Sequence, residues 1–476
     1  MKSHRRNFIQ GLAASSLVPA MLGGTGAFAA SGRRPNILVL LADDMGYADL
    51  GCFGSRHIRT PNLDRLAAQG ARLTNCYANS PVCSPTRLSM MTGRYNVAFR
   101  TGLVEPFSAG PWGDSAIPKD YPTMPAMLRD AGYGTSLIGK WHLGTSDEGS
   151  PLAHGYDEFF GFLGGAIDYF SHEYIGRPAL RQNDEATQRP GYMTTLLADE
   201  AIRSMSRYAE KQQPFLLSLH FNAPHWPWEG PEDFALNNPG ADFDGGSLDV
   251  YARMTESLDM NIGRVLRALD NLGLADDTLV LFTSDNGGER FSEVWPFQGM
   301  KGMLLEGGIR VPGIVRFPGR IPAGTTSDQM AITMDWMPTF LDAAGAKGRS
   351  GQVLDGMSLL SPLVTGRSVD RSLFWRFQGH RQRAARIRNW KYYRLEDDEF
   401  LFDLSVDTME RANRANHEPE ELERLRSAWL KWNEGMVTDD SIAGFCQSPK
   451  NLAGMLPTGE GTNCKVYGPR PSAPPR

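Results

Sequence analysis

Two continuous apolar runs, far apart in the chain, each end directly on a pair of hard oxygen donors. Asn36-Ile37-Leu38-Val39-Leu40-Leu41-Ala42 is followed by Asp43-Asp44, and Thr278-Leu279-Val280-Leu281-Phe282-Thr283 leads to Asp285-Asn286. A strand apolar at successive positions has no side to give to water, so both runs read as central strands buried on two faces. Between them the chain alternates. A helix is expected from Pro61, with Thr60 as N-cap, Leu63 and Leu66-Ala67 on one face and Gly70 as the stop. Further on, Met124 to Ala131 reads as helix, Thr135 to Gly139 and Pro214 to Phe221 as strands, and Val250 to Leu272 as a long amphipathic helix. That order implies an α/β fold, a large mostly parallel sheet flanked by helices. Ligands of such sheets gather outside the carboxyl ends of the strands, so the two donor pairs are expected at one site.

At 476 residues with 41% hydrophobic content, the chain has enough apolar material for more than one domain. The texture changes near residue 370. Leu373-Phe374-Trp375-Arg376-Phe377, Trp390-Lys391-Tyr392-Tyr393-Arg394 and Glu399-Phe400-Leu401-Phe402-Asp403-Leu404 precede a charged helix from Pro419 to Trp432. The division expected is a catalytic α/β domain over 33–370 and, over 371–476, a smaller antiparallel sheet plus helix with a Pro- and Gly-rich tail from Gly454 that wraps the surface.

The N-terminus is separate. His4-Arg5-Arg6-Asn7-Phe8-Ile9-Gln10, an apolar stretch from Leu12 to Leu22 and Ala27-Phe28-Ala29 read as a twin-arginine export signal over 1–29. The expected partner is the twin-arginine translocase and the destination the periplasm or the medium. The apolar stretch is too short for stable membrane insertion. Its removal takes three basic residues and no acid, moving the formal charge from -5 to -8. A mildly acidic surface argues against nucleic acid and anionic membranes as partners.

Five cysteines, Cys52, Cys76, Cys83, Cys446 and Cys464, make an odd count in an exported chain, which fits four paired and one reactive. Cys446 with Cys464 is the pairing expected, closing the tail; spacing alone does not fix connectivity. A lone cysteine is ordinarily a small buried hydrophobe. Cys83 is set apart by its neighbours, Cys83-Ser84-Pro85-Thr86-Arg87-Leu88-Ser89-Met90-Met91-Thr92-Gly93-Arg94. Pro85 fits a first helical turn and Gly93 stops the helix. Cys83 then sits at a helix N-terminus, where free N–H groups favour an anion, with Arg87 one turn on and facing the same way.

This segment resembles the signature of type I sulfatases, members of the alkaline phosphatase superfamily, in which the cysteine is oxidised after translation to Cα-formylglycine. The implied activity is arylsulfatase-like hydrolysis of sulfuric esters, and the implied partners are a formylglycine-generating enzyme and a sulfated small-molecule or carbohydrate substrate. Thr86 departs from the family's usual Ser or Ala.

Asp43, Asp44, Asp285 and Asn286 suit Ca²⁺ or Mg²⁺, and no His or Cys cluster has zinc spacing. Taken singly, each pair is also a plausible turn; together at strand ends they favour a metal, Ca²⁺ in preference to Mg²⁺. The resemblance adds position 83 to the ligand set. It also implies that Lys140, in Gly139-Lys140-Trp141-His142, binds the formylglycine and sulfate with His142 beside the formylglycine hydroxyl, that His225 is a second active-site histidine that binds substrate and that Lys301 is a second sulfate-binding lysine. In extended chain Lys140 and His142 would share a side while Trp141 turns to the core. Glu306 and Arg310, four apart, read as a structural ion pair.

By the same resemblance the hydrated aldehyde attacks sulfur with Asp285 as base, His225 and Lys301 assist departure of the alcohol, and His142 removes the proton that frees sulfate. Arg87, Lys140 and Lys301 more than balance the site's negative charge, and the excess would stabilise charge developing at the transition state. Two alternatives stay open: a phosphonate or phosphodiester hydrolase of the same superfamily, and an unmatured glycan-binding protein. Trp226 and Trp228 are candidates to stack on sugar rings. His154, Asp168, Tyr169 and His172 are candidates for the pocket wall, and export favours a sulfated sugar or glycan fragment as substrate.

Overall fold

The computed structural model describes residues 34–107, 115–174, 176–233, 245–349, 351–377 and 381–438. The expected export signal, the Cys446–Cys464 pairing and the tail from Gly454 lie outside them. Among the described residues no helix is long and apolar enough to cross a membrane.

The main sheet has ten strands. In spatial order they are Thr325–Ser327, Ala71–Leu73, Gly313–Arg316, Thr278–Ser284, Asn36–Ala42, Phe215–His220, Gly134–Lys140, Glu158–Phe162, Arg181–Gln182 and Glu185–Ala186. The five central strands from Thr278 to Phe162 run parallel. Gly313–Arg316 pairs antiparallel on one side and Arg181–Gln182 on the other. Both apolar runs are central, as their composition requires: every residue from Ile37 to Ala42 and from Leu279 to Phe282 is fully buried.

The two faces of Asn36–Ala42 serve different cores. Ile37, Val39 and Leu41 pack with Leu88, Met90, Trp141 and Phe340, whereas Leu38, Leu40 and Ala42 pack with the helices Met193–Glu210 and Leu248–Asn271 through residues such as Leu197, Met205, Leu258 and Ile262. Each such side chain contributes roughly 1.5–3 kcal/mol by leaving water, so the strand's register is strongly fixed. That register sets Ala42 beside Ser284 and Leu41 beside His220, which brings Asp43 and Asp285 out at adjacent strand ends.

Ser372–Phe377, Gln382–Ile387, Trp390–Leu395 and Asp398–Asp403 form the expected antiparallel sheet, backed by the helix Pro419–Asn433. It shares a core with the main body: Leu373, Trp375, Tyr393 and Phe402 pack with Tyr77, Val82, Ile309 and Ile332, and the Trp375 indole N–H donates to the Ala78 carbonyl. One local expectation is corrected, and one strand is added. Thr60 stands at the N-cap of Pro61–Ala68, but its hydroxyl accepts from Gly51 N and donates to Asp64 Oδ1 and gives the helix no cap bond. Gln382–Ile387 is a strand that the sequence did not announce.

Candidate active site

The helix Cys83–Thr92 is buried along its whole length and ends at Gly93, whose φ of 67° needs a residue without a Cβ penalty. The Thr86 hydroxyl donates to Ser80 O and accepts from Ser80 N, both at 3.0 Å, closing the loop that leads into the helix. This places Cys83 as the first helical residue, 3% exposed. Burial pushes its thiol up to about 11, though Lys140 and Lys301 pull it down. A neutral buried thiol is a poor nucleophile at neutral pH.

Around Cys83 the sequence-predicted residues converge. Arg87 donates from Nε at 2.9 Å and Nη2 at 2.8 Å to one oxygen of Asp285, and from Nη1 at 3.0 Å to the Lys140 carbonyl. Lys140 Nζ lies 2.6 Å from Asp43 Oδ2, and Lys301 Nζ donates to Asp44 Oδ2. Asn286 Nδ2 donates to Asp44 Oδ1 at 2.8 Å. Asp44 carries a φ of 65° and His142 one of 59°, the sort of strained backbone that gathers at functional sites. His142 therefore does not continue the extended chain as expected. Lys140 is the last residue of its strand, Trp141 is buried as expected with its indole N–H on Gly149 O, and the chain turns at His142.

The electrostatics sort these groups. Burial raises the Asp43 carboxyl well above the usual range, the neighbouring Asp285 adds to this, and Lys140 opposes it. Burial acts on Asp44 in the same way, but Lys301 overcomes it and, with Lys140, holds that carboxyl low. Burial opposes the charge on Lys301, yet Asp44 and Glu289 raise it well above the ordinary lysine value. Burial, with nearby cations, keeps His142 neutral, and burial does the same for His225 against the pull of Asp44. His225 Nδ1 is 2.6 Å from the Trp226 carbonyl and so carries the proton; bare Nε2 then faces Asp44 Oδ2 at 3.5 Å.

The donor set fits a divalent cation. Asp43, Asp44, Cys83 and His225 present ligand-capable atoms within 4.8 Å of one another. Asp43 Oδ1, 3.8 Å from Arg87 Nη2, and Asn286 Oδ1 are buried with no hydrogen-bond partner, a costly condition that a bound cation would relieve. Asp285 turns Oδ2 to Arg87, which leaves Oδ1 near Asp44 N at 3.3 Å.

Other candidates are placed elsewhere or in support. His154 is a core histidine, stacked on Trp141 and paired with Ser115 Oγ, and burial lowers it to about 4. Asp168 caps a turn at Phe170 N and Ser171 N, and His172 Nε2 bonds Gly191 O. Tyr169 donates to the carbonyls of Asn222 and His225, each at 2.9 Å, and so shapes the His225 loop. Trp226 is half-buried beside His225, while Trp228 packs on Phe291. Glu306 and Arg310 form the expected ion pair at 3.1 Å.

Two residues at the site escaped the sequence reading. His220, the last residue of its strand, lies behind Arg87 with Nδ1 3.4 Å from Nη1. Glu289 lies 3.6 Å from Lys301 Nζ, and burial raises it to about 7 against the opposing pull of Lys301. Its only sequence signal was position, three residues after Asn286.

Residues 35–346 match the family model described as Sulfatase, and 298–428 match one described as N-sulphoglucosamine sulphohydrolase, C-terminal. N-acetylgalactosamine-6-sulfatase of Rattus norvegicus is 34% identical over 407 residues, covering 79% of this chain and 75% of its own. The crystal structure of Ps i-CgsB in complex with k-i-k-neocarrahexaose superposes with a TM-score of 0.77 at 30% identity, over 85% of this chain and 94% of that one. A phosphonate monoester hydrolase of Agrobacterium radiobacter shares the fold, with a TM-score of 0.61 at 22% identity over 84% of this chain and 95% of its own.

Proposed function

From the premise that the chain belongs to the sulfatase family and hydrolyses sulfuric esters, we propose that its substrates are sulfated sugars, cleaved with a formylglycine made from Cys83 and with Ca²⁺ as the cation. The observation that carries this reading is the pair of orphaned buried oxygens, Asp43 Oδ1 and Asn286 Oδ1, beside a cysteine held as a neutral thiol. Sugar substrates are supported by the name of one similar protein, an N-acetylgalactosamine-6-sulfatase, and by the k-i-k-neocarrahexaose bound in the similar structure of Ps i-CgsB.

Asp43, Asp44, Asp285 and Asn286 would hold the cation, with position 83 completing the set. A bound divalent cation supplies polarisation of the nucleophilic oxygen and neutralises charge. Formylglycine supplies, as its hydrate, a hydroxyl at the helix N-terminus. Arg87 fixes Asp285 through two bonds to one oxygen, which leaves the other for the cation or a proton. Lys140, tied to Asp43, offers charge to the sulfate oxygens. Lys301 is a fixed cation for the departing alcohol oxygen, with neutral His225 beside it. His142, neutral and with Nδ1 unpartnered, takes up the proton whose loss frees sulfate.

Export by the twin-arginine route to the periplasm or medium, and maturation by a formylglycine-generating enzyme, belong to the same proposal; their support is the Arg5-Arg6 segment and the Cys83 motif. The test is peptide mass spectrometry at Cys83 with sulfate release from a panel of sulfated saccharides. Aldehyde or hydrate together with release supports the reading; thiol alone with no release overturns it. Faster turnover of bis(4-nitrophenyl) phosphate than of any sulfate ester would favour the phosphodiesterase alternative.

A further inference from the structure

Glu289 is 6% exposed, and its Oε2 has no hydrogen-bond partner although it lies 3.6 Å from Lys301 Nζ. Its place is rigid. Lys301 N donates to Gly288 O at 2.9 Å, and Ser292 N and Oγ both donate to the Glu289 carbonyl, at 2.8 and 2.6 Å. Gly288 admits no side chain there, since a Cβ would come within 1.8 Å of Ser292 Oγ. The loop that carries Asp285 and Asn286 therefore also delivers a second carboxylate to Lys301.

Asp44 is heavily used. Its Oδ1 accepts from Asn286, and its Oδ2 accepts from Lys301. A divalent cation on the same carboxylate competes for those lone pairs, and an ammonium has three donors to place. We propose that Glu289 is a positioning residue for Lys301, holding the ammonium toward the departing oxygen when Asp44 is engaged by the cation. At formal charge, four carboxylates face three side-chain cations, and a divalent cation with one sulfate ester brings the loaded site to neutrality.

The inference rests on the assignment of Lys301 to the leaving group in the proposed function. The experiment compares wild type, Glu289→Gln, Lys301→Ala and the double variant on a sugar sulfate and on 4-nitrophenyl sulfate. Expected for Glu289→Gln is a kcat on the sugar sulfate lower by about tenfold or more with KM within about twofold, and a smaller loss on 4-nitrophenyl sulfate, whose phenolate leaves with little help. In the Lys301→Ala background the same change adds less than about twofold. Equal losses on both substrates, or full multiplication of the two effects, overturns the inference. If Glu289→Gln does not fold, Glu289→Asp, one methylene shorter, is read by the same criteria. A wild type inactive on every sulfate ester sinks the proposed function; an active wild type with an indifferent Glu289→Gln sinks the role of Glu289 alone.

Discussion

The molecule buries two groups of opposed charges, and they are built to opposite ends. Around Glu306 the network is closed by short contacts, Glu410 Oε1, without a hydrogen bond, having the Lys391 ammonium at 2.7 Å. Oε1 accepts from Lys391 at 2.9 Å, Oε2 accepts from the Tyr77 hydroxyl at 2.6 Å and Arg310 at 3.1 Å, and Glu306 N donates to Glu410 at 2.6 Å. Its members come from the main body and from the small sheet, so it joins the two. Around Cys83 the network is open. Cations are tied to carboxylates there as well, but Asp43 Oδ1, Asn286 Oδ1 and Glu289 Oε2 are left without hydrogen bonds. A closed set spends its polar atoms on the fold. An open one keeps them for a ligand, at a cost in stability that the surrounding core must offset.

The largest separation should come from the two centres' key groups. Cys83→Ala is expected to lower turnover by on the order of 10⁴-fold or more, with the unfolding midpoint close to wild type; a variant that retains multiple turnover would break the contrast. Cys83→Ser should fail equally, since it offers one hydroxyl where the hydrate offers two. Lys391→Met should do the reverse. It leaves Glu306 and Glu410 without their ammonium and costs about 3–5 kcal/mol in denaturant unfolding, with kcat per folded molecule unchanged.

A smaller effect distinguishes the open centre. Ca²⁺ at about 100 times its Kd should stabilise metal-stripped protein by about 2.7 kcal/mol, and Asp43→Asn should weaken that response in thermal melts; no response in wild type would mean that the orphaned oxygens do not serve a cation. The smallest concerns pH. Burial raises Glu410 to about 7 from an ordinary 4.5, with Lys391 opposing. Between those values the folded state binds more protons than the unfolded, so this residue's contribution favours folding below about 4.5 and is lost as pH rises through about 7. Glu410→Gln should flatten that part of the stability profile measured by urea titration.

How much of this could be read beforehand follows from where the signal lies. Asp43, Asp44, Asp285 and Asn286 were legible because unbroken apolar strands mark their own ends, and parallel register does the rest. The helix at Cys83 was legible from Pro85 and Gly93. Gln382–Ile387 was not, because its polar residues serve partners remote in sequence: Gln382 accepts from Leu304 N and donates to Gly302 O. Ala71–Leu73 and Gly313–Arg316 are too short to carry a period. Glu289 and His220 went unnoticed because nothing local separates a carboxyl or imidazole aimed inward from one in water. The turn at His142 was missed since a positive φ outside glycine has little sequence signature.

The burial of Cys83 sets an order of events in time. Once Thr86 has clasped Ser80 and the helix has packed, the thiol is 3% exposed and beyond the reach of another protein's active site. Any enzyme that oxidises it must read the segment as an open strand, before the core assembles. An enzyme acting on Cys83 would therefore race the folding of its own substrate, and a molecule that folded first would keep its thiol.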